Sequence, residues 1–347
     1  MRAFVSLSGL AFLTFACSGG NATPPGGLGP STGGSGATSG SGGTGSGGSK
    51  GGTGGTITCT ASGTGGTPDC SGVQNGPAPL RLLTHVQYDN TVEDLLGNTS
   101  RPSLRFPAEN EVLGYRNNVA ANQVNPRLVE SYQAAAETLS VEAVTNRLDA
   151  IAPCASGAPP AECGRSFIQS FGERAFRRPL ESDELALFDT VLTAQLPNGY
   201  AKAVEVLLQV MLQSPQFLYR VDALPASPES GSVLLAPYEM ASRLSYFLTN
   251  SMPDAALMQK ASDGKLATDD EIEAEARRLI ELPRARAMAQ DFVDQWLGLA
   301  RLEGAAREAA DVPYAATELT ADFQQSLRAF TDSVLFEPGG NVQALFT

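Results

Sequence analysis

Any acid–base chemistry in this chain falls to its carboxylates. The 347 residues carry 37 acidic side chains against a single histidine, His85. One histidine excludes a His-rich metal site or a histidine-based triad, and no C-x-x-C-H run exists to attach a c-type haem. No cofactor is called for by these residues. His85 falls in the first turn of an expected helix and reads as a surface residue beside its cap. A carboxylate pair separated by about 5–9 Å can hydrolyse a glycosidic bond. Asp89, Glu93 and Asp94 share one helix, but they lie mostly off its apolar face and read as solvated. Asp254, Asp269, Asp270 and Glu271 stand at expected helix starts, where the helix dipole accounts for them. Arg177, Arg178 and Arg243 could clamp a carboxylate or phosphate through both guanidinium nitrogens. They could equally tie helices together by bonding terminal carbonyls, and that structural use is favoured. Asn117 and Asn118 could line a polar pocket or satisfy a turn. Trp296 sits at a core spacing and reads as buried rather than as a platform for sugar.

The five cysteines sort by context. Cys17 ends an apolar leader, Ala3 to Ala16 after Arg2, and this pattern reads as an export signal over 1–16. The leader is shorter than the roughly 20 residues a spanning helix needs. A cysteine at the cleavage point implies a lipoprotein acylated on Cys17, although Thr14 stands where such signals usually carry an aliphatic residue; an ordinary signal peptide cut nearby is the alternative. The remaining four pair most simply as Cys59 with Cys70 and Cys154 with Cys163, each a local disulfide in a Gly/Pro/Ser-rich stretch. Their spacings lack the C-x₂-C knuckle of a zinc site.

Residues 17–76 hold most of the 36 glycines. With so little apolar surface they read as a disordered Gly/Ser/Thr tether, spanning about 40 Å if it behaves as a Gly-rich coil. Arg2, Lys50 and Asp69 are the only charges before residue 77, so residues 77–347 keep 22 of the 24 basic and 36 of the 37 acidic side chains, a net charge near −14. That acidity argues against nucleic acid and against anionic lipid headgroups as partners.

From residue 80 onward, helical spacing dominates, and the fold class expected is all-α: two packed helical groups after the tether. Thr84 and Gln87 form a capping box, Tyr88, Val92, Leu95 and Leu96 share a face, and Gly97 closes the helix. Asn125-Pro126 opens a helix to about Leu148. Phe167, Ile168, Phe171 and Ala175 form a stripe; Ser182 caps the next helix, with Leu185, Phe188 and Leu192 inward; Val204, Leu207, Leu208 and Met211 follow before Ser214-Pro215. These make up N-terminal helical domains over 77–225, and a Pro/Ser/Gly linker leads to a C-terminal helical domain over 232–347. There Pro237 starts a helix with Met240, Leu244 and Phe247 inward, and Thr268 with Glu271 caps one carrying Ile272, Ala276, Leu279 and Ile280. Met288, Phe292, Trp296 and Leu299 mark another, and Phe323, Leu327, Phe330 and Val334 the last. Asn341 to Thr347 reads as the start of a further helix, as in a truncated product.

Four stretches carry a family resemblance. They are RLLTHVQYDNTVEDLLG from Arg81 to Gly97; Phe106-Pro107 with GYRNN from Gly114 to Asn118; FRRPL from Phe176 to Leu180 with SPQFLYR from Ser214 to Arg220; and ASRLSYFL from Ala241 to Leu248 with SMPD from Ser251 to Asp254 and Gln295 to Leu297. The chain thus resembles the helical domains of unknown function in large secreted planctomycete and myxobacterial proteins, the planctomycete cytochrome-c-associated families. Gln87 departs from the glutamate usual there, and the family normally continues past the position of Thr347. The resemblance implies no activity of its own. The chain as a whole reads as a binding or assembly module at the cell envelope without catalysis, held to the membrane by a lipid on Cys17, and the resemblance implies an envelope redox protein or an extracellular polymer as partner. The alternatives are an enzyme acting on polysaccharide through paired carboxylates, or a truncated remnant of a longer redox-associated protein.

Overall fold

A capping box starts the first helix and a left-handed glycine ends it, as the sequence requires. The computed structural model describes residues 57–60, 69–73, 80–119, 121–220, 235–299 and 316–337. In helix α1 (His85–Leu96), Thr84 Oγ1 accepts from the Gln87 N–H at 3.3 Å while Gln87 Oε1 accepts from the Thr84 N–H at 3.2 Å. Gly97 takes φ 64° at the C-cap and its N–H returns to the Glu93 carbonyl. Tyr88, Val92, Leu95 and Leu96 are buried, the face the spacing set out.

Helix α2 (Pro126–Ile151) begins where Asn125 Oδ1 accepts from the Leu128 N–H at 2.9 Å, and it is interrupted at Arg147, whose backbone leaves the helical region. Helices α3 (Pro160–Phe176), α4 (Ser182–Gln195), α5 (Tyr200–Leu212) and the single turn α6 (Pro215–Leu218) complete the first group. Phe167, Ile168, Leu192, Leu207, Leu208 and Met211 fill its core against α1 and α2. Ser182 is the first helical residue of α4 rather than its cap: Glu181 holds that place, and Glu184 Oε2 accepts from its N–H at 2.8 Å. A two-residue antiparallel pair, β3 (Arg81–Leu82) with β4 (Tyr219–Arg220), ties the start of this group to its end. Cys154 and Cys163 are bonded across the α2–α3 connection, as expected.

Two further strands, β1 (Ile57–Thr60) and β2 (Asp69–Val73), pair antiparallel inside the stretch whose composition reads as tether. The register is irregular between Thr58 and Thr60, so Cys59 falls between the pairs Thr58↔Gly72 and Thr60↔Asp69 on the strand facing Cys70. Cys17, most of the expected tether, the linker at 221–234 and the end after 337 lie outside the described residues.

The second group consists of α7 (Pro237–Thr249), α8 (Ala255–Ser262), α9 (Asp269–Ile280), α10 (Pro283–Trp296) and α11 (Ala316–Leu335). Its own core is small: Ala241, Leu248, Leu257, Ala261, Leu266 and Leu279. Here several expected core positions turn outward. Phe247 is 71 % exposed and Trp296 38 %, and Ile280, Phe292, Phe323 and Phe330 are also exposed. The cause lies in the residues that turn inward instead. Helix α7 buries Ser245, Tyr246 and Thr249, with Thr249 Oγ1 donating to the Ser245 carbonyl and the Tyr246 hydroxyl paired with Thr91 Oγ1 of α1, and α10 directs Asp291 and Gln295 toward partners in the loop between α1 and α2. Satisfying those polar groups rotates each helix and leaves its large apolar residues at the rim.

Candidate functional site

The N-terminal turn of α1 and the loop 106–125 meet α7 and α10 along a seam of polar groups. His85 caps one end of it. Its imidazole is half-buried and meets Phe106 edge-on with ring centroids 5.5 Å apart, so the expectation of a surface residue is corrected. Its backbone N–H donates to Glu109 Oε1 at 2.9 Å, and Nδ1 lies 4.0 Å from Glu109 Oε2. Burial pushes the His85 pKa below its ordinary value, opposed by Asp89 and reinforced by Arg116. Burial also pushes the Glu109 carboxyl up; the His85 N–H and Arg116 pull it back, and Asp291 adds to the rise.

Further along the seam, the Arg116 guanidinium donates to Asp291 Oδ1 at 2.7 Å and its backbone N–H donates to Gln295 Oε1 at 3.0 Å. Asp291 Oδ2 accepts from Gln295 Nε2 at 3.0 Å and from Asn250 Nδ2 at 3.3 Å. Asn250 sits at the C-cap of α7 with φ 51°. Its Oδ1 accepts from Gln87 Nε2 and its carbonyl from Asn90 Nδ2. Gln87 thus uses its amide as a donor, which the glutamate of the family pattern cannot do. Asp291, like Glu109, has its pKa raised by burial, against the pull of Arg116. Tyr115, Phe292 and Trp296 form a partly exposed row of near-parallel rings beside these groups, with centroids 5.9 and 6.4 Å apart. Among the described residues the best-formed cleft encloses about 30 Å³, lined by His85, Glu109, Asn110, Asn122, Gln123 and Tyr132 with their apolar neighbours. That is room for a water or two.

Of the arginines singled out by sequence, Arg177 and Arg178 bind partners other than the seam's carboxylates. Arg177 is 3 % exposed and donates to the carbonyls of Gln216 at 2.5 Å, Phe217 at 3.1 Å and Tyr219 at 2.7 Å, and to the Tyr246 hydroxyl at 3.2 Å. Arg178 binds both carboxylate oxygens of Glu184, at 2.9 and 2.8 Å. Both therefore serve the structural use. Arg243 stands on the exposed side of α7, not on its apolar face. Asn117 is exposed, and Asn118 is half-buried with its Oδ1 accepting from the Ala121 N–H, a turn contact. Asp89, expected in solvent, is buried, because its carboxylate accepts from the Ser103 N–H at 3.0 Å and Ser103 Oγ at 2.7 Å. Glu93 is half-buried, and Asp94 is exposed and pairs with Arg284.

Sequence reasoning missed Glu109, Arg116, Asp291, Gln295, Asn250 and Tyr246. Their signal was present in part: Tyr115-Arg116 and Gln295 lie inside the stretches that carry the family resemblance. Nothing in local spacing brings residues 116 and 291 together. Among the described residues no cluster of three or more His, Cys, Asp or Glu groups could hold a metal, and no helix is long and apolar enough to cross a membrane.

The helices and the seam define an all-α protein of three consecutive helical domains with a polar junction. Those domains are identifiable. Residues 81–145 match the family model PSD3, a protein of unknown function (DUF1587); 163–222 match PSD5, a protein of unknown function (DUF1595); and 235–347 match PSD4, a protein of unknown function (DUF1592). The chain carries these three planctomycete cytochrome-c-associated domains in that order. No curated protein and no solved structure matches it.

Proposed function

We propose that this chain is an exported binding or assembly module of the cell envelope, held to the membrane by a lipid on Cys17 and without catalysis of its own. One observation carries the reading: the polar groups of the best candidate site are consumed by one another. Glu109 is held by the His85 backbone and Asp291 by Arg116, Asn250 and Gln295, and the cleft beside His85 and Glu109 encloses only about 30 Å³. Small-molecule sites commonly enclose about 300–1,000 Å³. The acidic surface suits a cationic partner, and an envelope redox protein or an extracellular polymer remains the expected class. The test is capture of partners from envelope fractions with wild type and Cys17→Ala, read by mass spectrometry. If Cys17→Ala fractionates with membranes as wild type does, the anchor is wrong; if the wild type captures nothing above a tag-only control, the module reading is wrong.

A second reading has one observation in its favour. Glu109 and Asp291 both carry raised carboxyl pKa values beside Arg116 and an aromatic row, and a raised carboxyl is what a general acid needs. Release of reducing ends from envelope polysaccharide, lost in both Glu109→Gln and Asp291→Asn, would replace the module reading with a glycoside hydrolase.

A further inference from the structure

The junction between the second helical group and the first is built differently from either interior. Among the described residues, every helix–helix pair that packs over an appreciable length lies within one group; none joins α1–α6 to α7–α11. What crosses is mostly polar or ionic. Arg284 pairs with Asp94 at 2.7 Å and Glu93 at 3.4 Å, Arg116 with Asp291 at 2.7 Å, and Ser251 Oγ donates to Asp94. Gln87 and Asn90 reach Asn250, and Arg116 reaches Gln295. Two residues of the second group, Tyr246 and Met252, enter the first group's core. The Arg177 and Arg220 guanidiniums each lie over the Tyr246 ring, 5.6 and 5.5 Å from its centroid, and the Tyr246 hydroxyl meets Thr91 Oγ1 at 2.8 Å. The second group also keeps a core that excludes both of these residues.

We propose that the third domain is a docked unit: it separates from the first two as a body, with its helices intact, when the ionic seam is weakened. Polar interfaces between domains permit relative motion unless they are large and apolar. Ion pairs at a partly exposed seam are screened as the Debye length falls from about 10 Å at 0.1 M salt to about 3 Å at 1 M. Buried helical cores are not weakened in this way. Separation would present Asn250, Asp291, Arg116 and Tyr246 to a partner. The device is conformational and stands whatever the partner is.

Trp296 is the only tryptophan, and it lies one ring from the seam-crossing stack of Tyr115 on Phe292. Its emission and the radius of gyration from solution scattering, followed with far-UV ellipticity in urea at about 0.1 and 1 M salt, report docking and helicity separately. The expected result is a change in emission and a rise in radius before helix is lost, at lower urea in high salt. Asp94→Asn and Arg284→Gln should move this early step to lower urea at low salt and leave the later loss of helix in place. Arg328→Gln, which frees α11 from its ion pair with Asp294 on α10, should not move the early step. Coincident loss of emission, compactness and helix in wild type at both salts overturns the proposal. So does an equal shift by Arg328→Gln, which would assign the signal to α11.

Discussion

Replacing Arg177 with methionine tests a buried tie in the first helical group. The guanidinium donates to three backbone carbonyls at the end of α6 and to one hydroxyl, at 2.5–3.2 Å. Methionine fills much of the same space and supplies no donor. Its φ of 61° is as costly for methionine as for arginine, so backbone strain cancels between the two. What remains is the loss of partners. Each buried acceptor left unsatisfied costs about 1–3 kcal/mol. The Phe217 carbonyl lies in a fully buried contact, whereas those of Gln216 and Tyr219 are in half-buried ones that water can partly serve. The expected loss is about 3–5 kcal/mol. Arg177→Lys should fall between, since one ammonium cannot span the fork that a guanidinium fills. The neighbouring Arg178→Met removes a half-buried bidentate pair with Glu184 but leaves no buried carbonyl without a donor, and should cost about 1–2 kcal/mol. Urea unfolding followed by far-UV ellipticity measures all three. If Arg177→Met costs no more than Arg178→Met, the carbonyls do not depend on Arg177 and the reasoning is refuted.

Because burial lowers the pKa of His85 from 6.5, the folded state binds its proton less well than the unfolded chain. Its contribution to stability is therefore complete above pH 6.5 and drains away as pH falls below it, a slope that His85→Gln should remove from the pH dependence of urea midpoints. The imidazole resonance of this sole histidine should titrate below 6.5 by NMR. Gly164→Ala should destabilise by about 1–3 kcal/mol despite alanine's better helix propensity, since its Cβ would come within 2.4 Å of the Leu192 side chain; a gain in melting temperature would show that Leu192 moves aside freely. Cys154→Ser with Cys163→Ser should cost about 2–3 kcal/mol from the closed loop of nine residues' separation, read as a lower urea midpoint than wild type under oxidising conditions and none under reducing ones.

The sequence was most legible where local signals agree. Thr84, Gln87, Gly97, Asn125 and the stripe from Phe167 to Ala175 settle helix ends and faces by contacts within a few residues, and the structure keeps them. The second group was less legible, because its helices are oriented by partners far along the chain. Phe292 and Trp296 have core spacing, yet the seam needs of Asp291 and Gln295 decide the rotation of α10. Asp89 failed for a related reason: no helical periodicity anticipates Ser103, which lies in the following 3₁₀ turn and draws the carboxylate inward. The cysteine pairing at 154 and 163 was readable because it depends on proximity alone.

That bridge closes an exposed loop between the segments that match the first two domain families. A protease that cuts anywhere between Cys154 and Cys163 divides the polypeptide without parting the pieces. The nicked chain would run as one band on a non-reducing gel and as two on a reducing gel, its helical core undisturbed. Wherever hydrolases reach this loop, such a staple makes the cut inconsequential.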